Sequence, residues 1–291
     1  MKKLKLWTGV LLGLGVVLLM IQAKDNPLDL YQNWLPKNVH FAEEPTPVEI
    51  PDVRERLDRE LLVNANWHSN TFLMIKRANR AFPVMEPILK QFGIPDDFKY
   101  LAVIESGLVN VVSPAGARGI WQFMPETAKM YGLEVNNQVD ERYHLQKSTE
   151  AACKYLLDAK KKYGNWTLAA ASYNAGMQGI QNRLDQQKSL NYYDLHLGEE
   201  TSRYVFRIIA MKEVMENAHK YGYRLSPQEL YYQPSVETIK VTESIPSLVD
   251  FAIQNGMNYK ELKLLNPWLR EDKLIVSNNK SYEIAVLKNK L

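Results

Sequence analysis

Glu105 is the residue of this sequence best placed for acid–base chemistry. Between Phe98 and Glu105, the residues Leu101, Ala102 and Glu105 follow Phe98 at offsets of three, four and seven, so the carboxylate continues an apolar helical stripe. Burial disfavours the charged form, so such a carboxyl has a raised pKa and can remain protonated near neutrality as a general acid. Ser106 and Gly107 come next. Glycine tolerates the left-handed conformation that caps a helix C-terminus, which puts Glu105 at a helix end beside a loop. Taken alone, the same acid could equally sit in a structural ion pair.

Further motifs follow in order. Ser113-Pro114-Ala115-Gly116-Ala117-Arg118-Gly119 is a glycine-rich loop that runs into Gly119-Ile120-Trp121-Gln122-Phe123-Met124-Pro125. Later come Asp140-Glu141-Arg142, then Ala171-Ser172-Tyr173-Asn174-Ala175-Gly176, then Glu200-Thr201-Ser202-Arg203-Tyr204-Val205. Gln122 offers both a donor and an acceptor, as sugar hydroxyls and acetamido groups require. Trp121 either stacks on a sugar face or belongs to the core. Asn174 lowers helix propensity inside an alanine-rich stretch without an evident structural gain.

Together with the approach Gly93-Ile94-Pro95-Asp96-Asp97-Phe98, this set resembles the catalytic domain of lytic transglycosylases, in particular the membrane-bound murein transglycosylase D group. Their fold is related to goose-type lysozyme. The resemblance runs from about Pro51 to Gly222 and implies cleavage of the β-1,4 bond between N-acetylmuramic acid and N-acetylglucosamine in peptidoglycan without water. Glu105 would protonate the leaving oxygen and then act as base on the muramoyl C6 hydroxyl, giving a 1,6-anhydro product. Most glycoside hydrolases need a second carboxylate; here the substrate's N-acetyl group and C6 hydroxyl would replace it. A residue that serves as acid and then as base needs a pKa near the working pH.

The resemblance also implies a substrate-binding set of Ser106, Ser113, Gln122, Tyr173, Asn174 and Glu200. Bland readings stand beside these: Ser113 as the start of the turn before Pro114, and Glu200 as a favourable charge in the first turn of a helix. The sequence departs from the family at Ile120, where leucine is common, at Ser172, where alanine is usual, and at Val111, where proline is usual. A hydrolytic muramidase and a non-catalytic wall-binding scaffold are the alternatives. Glu105 together with Gln122, Tyr173 and Asn174 argues against the scaffold.

Composition agrees. A length of 291 residues accommodates two domains and a terminal segment, and 46% hydrophobic content can fill a sizeable core. A net charge of +3 without a basic, aromatic-interleaved block offers no patch for nucleic acid. The histidines, His40, His68, His144, His196 and His219, show no ligand spacing, and no phosphate-binding loop or dinucleotide motif is present, so no metal, nucleotide or other cofactor is expected.

The N-terminus reads as an export segment of the cell envelope, directed to the periplasm. Lys2, Lys3 and Lys5 precede an uncharged stretch from Leu6 to Ala23 that is either a cleaved signal peptide or a retained membrane anchor. Relatives are often lipid-anchored through a cysteine just after the signal. The one cysteine here is Cys153, within a predicted helix, so no lipoprotein is expected and a buried free thiol is.

The expected fold is mainly α: residues 1–24 as signal or anchor, 25–51 as a proline-containing linker, 52–225 as a lysozyme-like helical catalytic domain, and 232–291 as a small α+β module. Ala152, Tyr155, Leu156, Ala159 and Tyr163 predict one amphipathic helix stopped by Gly164, with Lys160 to Lys162 facing water. Tyr204, Ile208, Met211 and Met215 predict another, read as core. Strands over Glu237 to Val241 and Tyr282 to Val286 flank two short helices, Pro246 to Asn255 and Tyr259 to Leu265. That order resembles a LysM module. The usual Gly-Asp-Thr turn is replaced by Thr242-Glu243-Ser244, so the module either binds glycan or is degenerate and packs on the enzyme.

Overall fold

The computed structural model describes residues 35, 36, 38–277 and 279–288. The apolar segment from Leu6 to Ala23 lies outside the described residues. Among them no helix is long and apolar enough to cross a membrane.

Helices dominate, as expected. The larger part contains α1 (Pro51–Asn66), α2 (His68–Gln91), α3 (Lys99–Ser106), α4 (Pro125–Met130), α5 (Leu145–Tyr163), α6 (Trp166–Ala175), α7 (Met177–Gln187) and α8 (Glu199–Glu216). In α3 the consecutive residues Tyr100, Leu101, Ala102 and Val103 are all buried. A helix covered on every side must lie at the centre of its domain, and α2 and α8 pack on it. α8 also packs on α1 and α6, so one long helix ties the first elements of the domain to the last. Of the predicted stripe of α5, Ala152, Tyr155, Leu156 and Ala159 are buried and Tyr163 is half-buried, and Gly164 ends the helix at φ 76°. Cys153 is a buried free thiol whose pKa burial pushes up to about 12.

Residues 25–34 and 37 of the expected linker lie outside the described residues. From Val39 onward the chain belongs to the fold: β1 (His40–Phe41) pairs antiparallel with β2 (Glu44–Pro45), and Phe41 is fully buried, edge-on to Phe98 at 5.2 Å. The Glu44 carboxylate accepts from the backbone N–H groups of Trp166 (2.6 Å) and Thr167 (2.9 Å), capping the N-terminus of α6 with a negative charge. Two-residue strands separated by turns have no period for a sequence pattern to show; their pairing, tertiary burial and the hydrogen bonds of Glu44 hold them.

The C-terminal module has the predicted order. Strand β3 (Val236–Val241) runs antiparallel to β4 (Tyr282–Leu287), with Val236 opposite Leu287 and Val241 opposite Tyr282. Between them lie α9 (Leu248–Gln254) and α10 (Tyr259–Leu265). The start of α10 is a reciprocal capping box: Asn258 Oδ1 accepts from Glu261 N–H at 2.9 Å, and Glu261 Oε2 from Asn258 N–H at 2.7 Å. The module's core contains Leu248, Ala252, Leu262, Trp268, Leu274 and Ile284, and it also takes in Val139 and Tyr143 from the helical part.

Candidate active site

Glu105 occupies the last turn of α3. Gly107, at φ 60° and ψ 28°, is the left-handed cap and donates its N–H to Val103 O at 2.8 Å. The carbonyls that a helix end leaves without partners are met by cations: Arg207 donates to Ile104 O at 3.1 Å and Arg77 to Gly107 O at 3.0 Å. The negative end of the helix disfavours a carboxylate there. Burial pushes the Glu105 pKa up to about 7; the Tyr204 hydroxyl and the Arg207 charge oppose that rise, and the Glu200 charge adds to it. Such a carboxyl can both give and take a proton at neutral pH.

The helical period of the sequence marks Tyr204 as core, and its motif assigns its hydroxyl no partner. It is buried at 1% exposure, yet its hydroxyl donates to Oε1 of Glu105. A buried tyrosine needs a partner for its O–H, and this one finds it at the candidate acid. Burial raises the pKa of the Tyr204 hydroxyl well above its ordinary value, so it stays a neutral donor. Arg207, one turn further along α8, is the second residue that pattern reading did not select.

Asn174 and Glu200 meet as a pair. Asn174 Nδ2 donates to Glu200 Oε1 at 3.0 Å, and Asn174 Oδ1 accepts from Thr201 Oγ1 at 2.7 Å. The asparagine that α6 tolerates near its end thus orients an acid in the first turn of α8. That turn is held from the other side by Arg203, which donates from Nε to the buried Glu60 of α1 at 2.6 Å.

The glycine-rich loop is anchored by its aromatic residues. Trp121 is fully buried and donates from Nε1 to Thr149 Oγ1 at 2.9 Å, which settles it as core rather than a sugar platform. Tyr173 donates its hydroxyl to Trp121 O at 2.8 Å, with its ring 5.9 Å from Phe123 and 5.1 Å from Tyr155. Between buried Trp121 and Phe123, Gln122 has φ 50° and keeps a partly exposed side chain. Its Nε2 donates to Gly119 O at 2.6 Å and Val111 O at 3.1 Å. Its Oε1 has no partner among the described residues.

The Asp140-Glu141-Arg142 motif braces this loop. Buried Arg142 donates to Asp140 Oδ1 at 2.8 Å and Oδ2 at 2.7 Å, and from Nη1 to Phe123 O at 3.2 Å and Gly116 O at 3.3 Å. Gly119, at φ 82°, lies so close that an added Cβ would fall 1.9 Å from Arg142 O. Only glycine fits there.

Two of the residues expected at the substrate, Ser106 and Ser113, have local partners. Ser106 Oγ donates to Ala102 O at 3.2 Å and accepts from Leu108 N–H at 3.1 Å, finishing α3. Ser113 Oγ accepts from Ala117 N–H at 3.0 Å, the turn-forming reading of that residue. A short serine beside free backbone groups closes the turn it sits in. Among the described residues, no group of three or more His, Cys, Asp or Glu is arranged to hold a metal ion.

Residues 88–195 match the family model described as the transglycosylase SLT domain. The chain carries an SLT domain. Glu105, the glycine-rich loop, Gln122, Tyr173 and Asn174 all lie within the matched part, whereas Glu200, Tyr204 and Arg207 follow it. Residues 237–290 match the soluble lytic transglycosylase C-terminal LysM-like domain. Two curated relatives are the membrane-bound lytic murein transglycosylase D of Escherichia coli strain K12 and its counterpart in Escherichia coli strain CFT073. Each is 30% identical over 224 residues, covering 74% of this chain and 47% of the relative. The chain therefore spans about half the length of the curated relatives it matches.

Proposed function

We propose that the protein is a peptidoglycan lytic transglycosylase that cleaves the β-1,4 bond after N-acetylmuramic acid and leaves a 1,6-anhydro end. The observation that carries this is the state of Glu105: a carboxyl at the end of the buried helix α3, with a pKa of about 7 and a neutral tyrosine donor on one oxygen. Protonated, it donates to the leaving glycosidic oxygen. Ionised, it is stabilised by Tyr204 O–H and Arg207 and takes the proton of the C6 hydroxyl as that oxygen closes on C1. The proton released in the second half restores the acid used in the first, so one residue completes the cycle.

Gln122 Oε1 serves as acceptor for an acetamido N–H of the glycan. Asn174 and Glu200 line the same site, with Glu200 adding a negative charge that raises the Glu105 pKa against the opposing charge of Arg207. Tyr173, Ser106 and Ser113 shape the site by fixing the loop and the helix end. The SLT domain and its murein-acting relatives support export to the periplasm, where the substrate lies.

A muramidase reading has one observation in its favour: Glu200 is a second carboxylate, coupled electrostatically to Glu105, of the kind that could activate water. Mass spectrometry of digested peptidoglycan separates the two. Transglycosylase products end in anhydro sugars, lighter by one water than reducing ends. Uniformly reducing ends would overturn the proposal in favour of hydrolysis.

A further inference from the structure

The C-terminal module does not hang from the catalytic domain on a tether. It is hydrogen-bonded to the strip from Glu134 to Tyr143. Asp140 N–H donates to Trp268 O at 2.9 Å, and Arg270 N–H to Gln138 O at 2.8 Å, extending the bridge between Val139 and Leu269. The side chain of Gln138 closes a two-way pair with the backbone of Ile275, donating at 3.1 Å and accepting at 2.8 Å. Tyr282 donates to both oxygens of Glu134, at 3.2 and 3.1 Å, and Lys280 lies 3.1 Å from the same carboxylate. Arg270 sits over the Tyr143 ring at 4.3 Å.

This strip is also the one that braces the glycine-rich loop. Asp140 faces both ways: its backbone is held by Trp268 of the module, and its carboxylate holds Arg142 and, at 3.6 Å, Arg118 of the loop. Arg142 in turn holds Gly116 O and Phe123 O, the carbonyls that bracket Gln122 in the chain. We propose that the C-terminal module is a positioning element for the catalytic loop, fixing Gln122 through Trp268, Asp140 and Arg142. It rests on the reading of that loop as part of the glycan site. The Thr242 to Ser244 turn takes part as well, since Ser244 Oγ accepts from Val276 N–H at 3.0 Å, next to Ile275. One residue of the turn that replaces the usual LysM sequence therefore steadies, from within the module, the stretch that meets Gln138.

The test uses the full chain with the seam loosened away from the site, by Q138A combined with Y282F, and separately by V139A, which opens the shared apolar core. Hydrogen exchange is followed at the loop amides of Gly119 and Phe123 and, as a reference, at amides in the middle of α8. Kinetics on a soluble glycan fragment are recorded alongside. The expected result is exchange about tenfold faster or more at the loop amides with α8 unchanged, since local openings are set by local contacts, together with a fall in kcat larger than any change in thermal midpoint accounts for. Loop amides as protected as in the parent, with either seam variant, would overturn the proposal. The exchange readout needs no turnover, so an error in the reaction assignment would show in the kinetics alone and leave this measurement standing.

Discussion

The Tyr204 hydroxyl donates to Oε1 of Glu105, and the two residues are 99 positions apart in the chain. The contact exists because α8 packs along α3 with its tyrosine facing the last turn of the central helix. A stripe that is apolar in sequence therefore delivers one polar atom, and that atom lands on the candidate acid. The bond favours ionised Glu105 while burial favours the protonated form, and the balance lies at about pH 7.

Replacing Glu105 with Gln keeps the shape and the bond from Tyr204 but removes the proton, so turnover should fall by about 100-fold to 10,000-fold. Release of anhydro ends from purified peptidoglycan measures it. Turnover near the parental rate would remove Glu105 from the reaction.

The same substitution has a stability signature. The Glu105 pKa is raised on folding, from 4.5 to about 7, so its contribution is fully present below pH 4.5 and is lost as pH rises through about 7. Between about pH 4 and pH 8 the parent should lose up to about 3 kcal/mol relative to E105Q, from about 1.4 kcal/mol per pKa unit. Denaturant titrations of both proteins at the two pH values check this; parallel curves would contradict a buried, proton-retaining Glu105.

Two neighbours should move the pH profile in opposite directions. Y204F removes a donor that lowers the Glu105 pKa, so the alkaline limb of kcat/KM should shift to higher pH. E200Q removes a charge that raises it, so the limb should shift to lower pH. Shifts in the same direction for both variants would refute the electrostatic assignment of at least one of them.

Gly119 and Gly116 both have positive φ, but only one is enclosed. At Gly119 the added methyl of alanine would meet Arg142 O at 1.9 Å, whereas at Gly116 no atom lies within 4 Å. G116A should cost about 1 kcal/mol from the left-handed backbone alone. G119A should cost more than about 3 kcal/mol and abolish activity by displacing the Gln122 loop. Thermal unfolding of the pair gives the comparison, and equal losses would mean that the loop yields at Gly119.

Phe41 and Glu44 offer a test of where the helical domain begins. F41A should destabilise by about 3–5 kcal/mol, as for a large residue removed from a core, and E44A by about 1–2 kcal/mol through the lost cap on α6. Losses near zero for both would return these residues to the linker.

What the sequence disclosed and what it did not divide along local and distant lines. The end of α3 and the stop at Gly164 are each written within a few adjacent residues, and both were legible. The module's strand-helix-helix-strand order follows from periodicity and was legible too. Tyr204 was not, because a period reports only that a side chain is buried and says nothing about where its hydroxyl points. The brace from Asp140 through Arg142 to Phe123 O joins elements that no local rule relates, so its motif was visible while its role was not. The segment from Val39 to Thr46 was hidden by the prolines in and beside it, Pro36, Pro45 and Pro47, which look alike in a spacer and in a packed turn.

That segment also sets an order of events in folding. Glu44 caps a helix whose first residue, Trp166, is 122 positions away, and Phe41 closes against Phe98, itself 5.3 Å from the Trp166 ring. Contacts this far apart in sequence form late, because loop closure must precede them. A chain made N-terminus first therefore carries Phe41 exposed until α6 has been synthesised and docked. Phe41 is thus made early and sheltered late, which gives the nascent protein an interval of vulnerability to aggregation that ends only when α6 is in place.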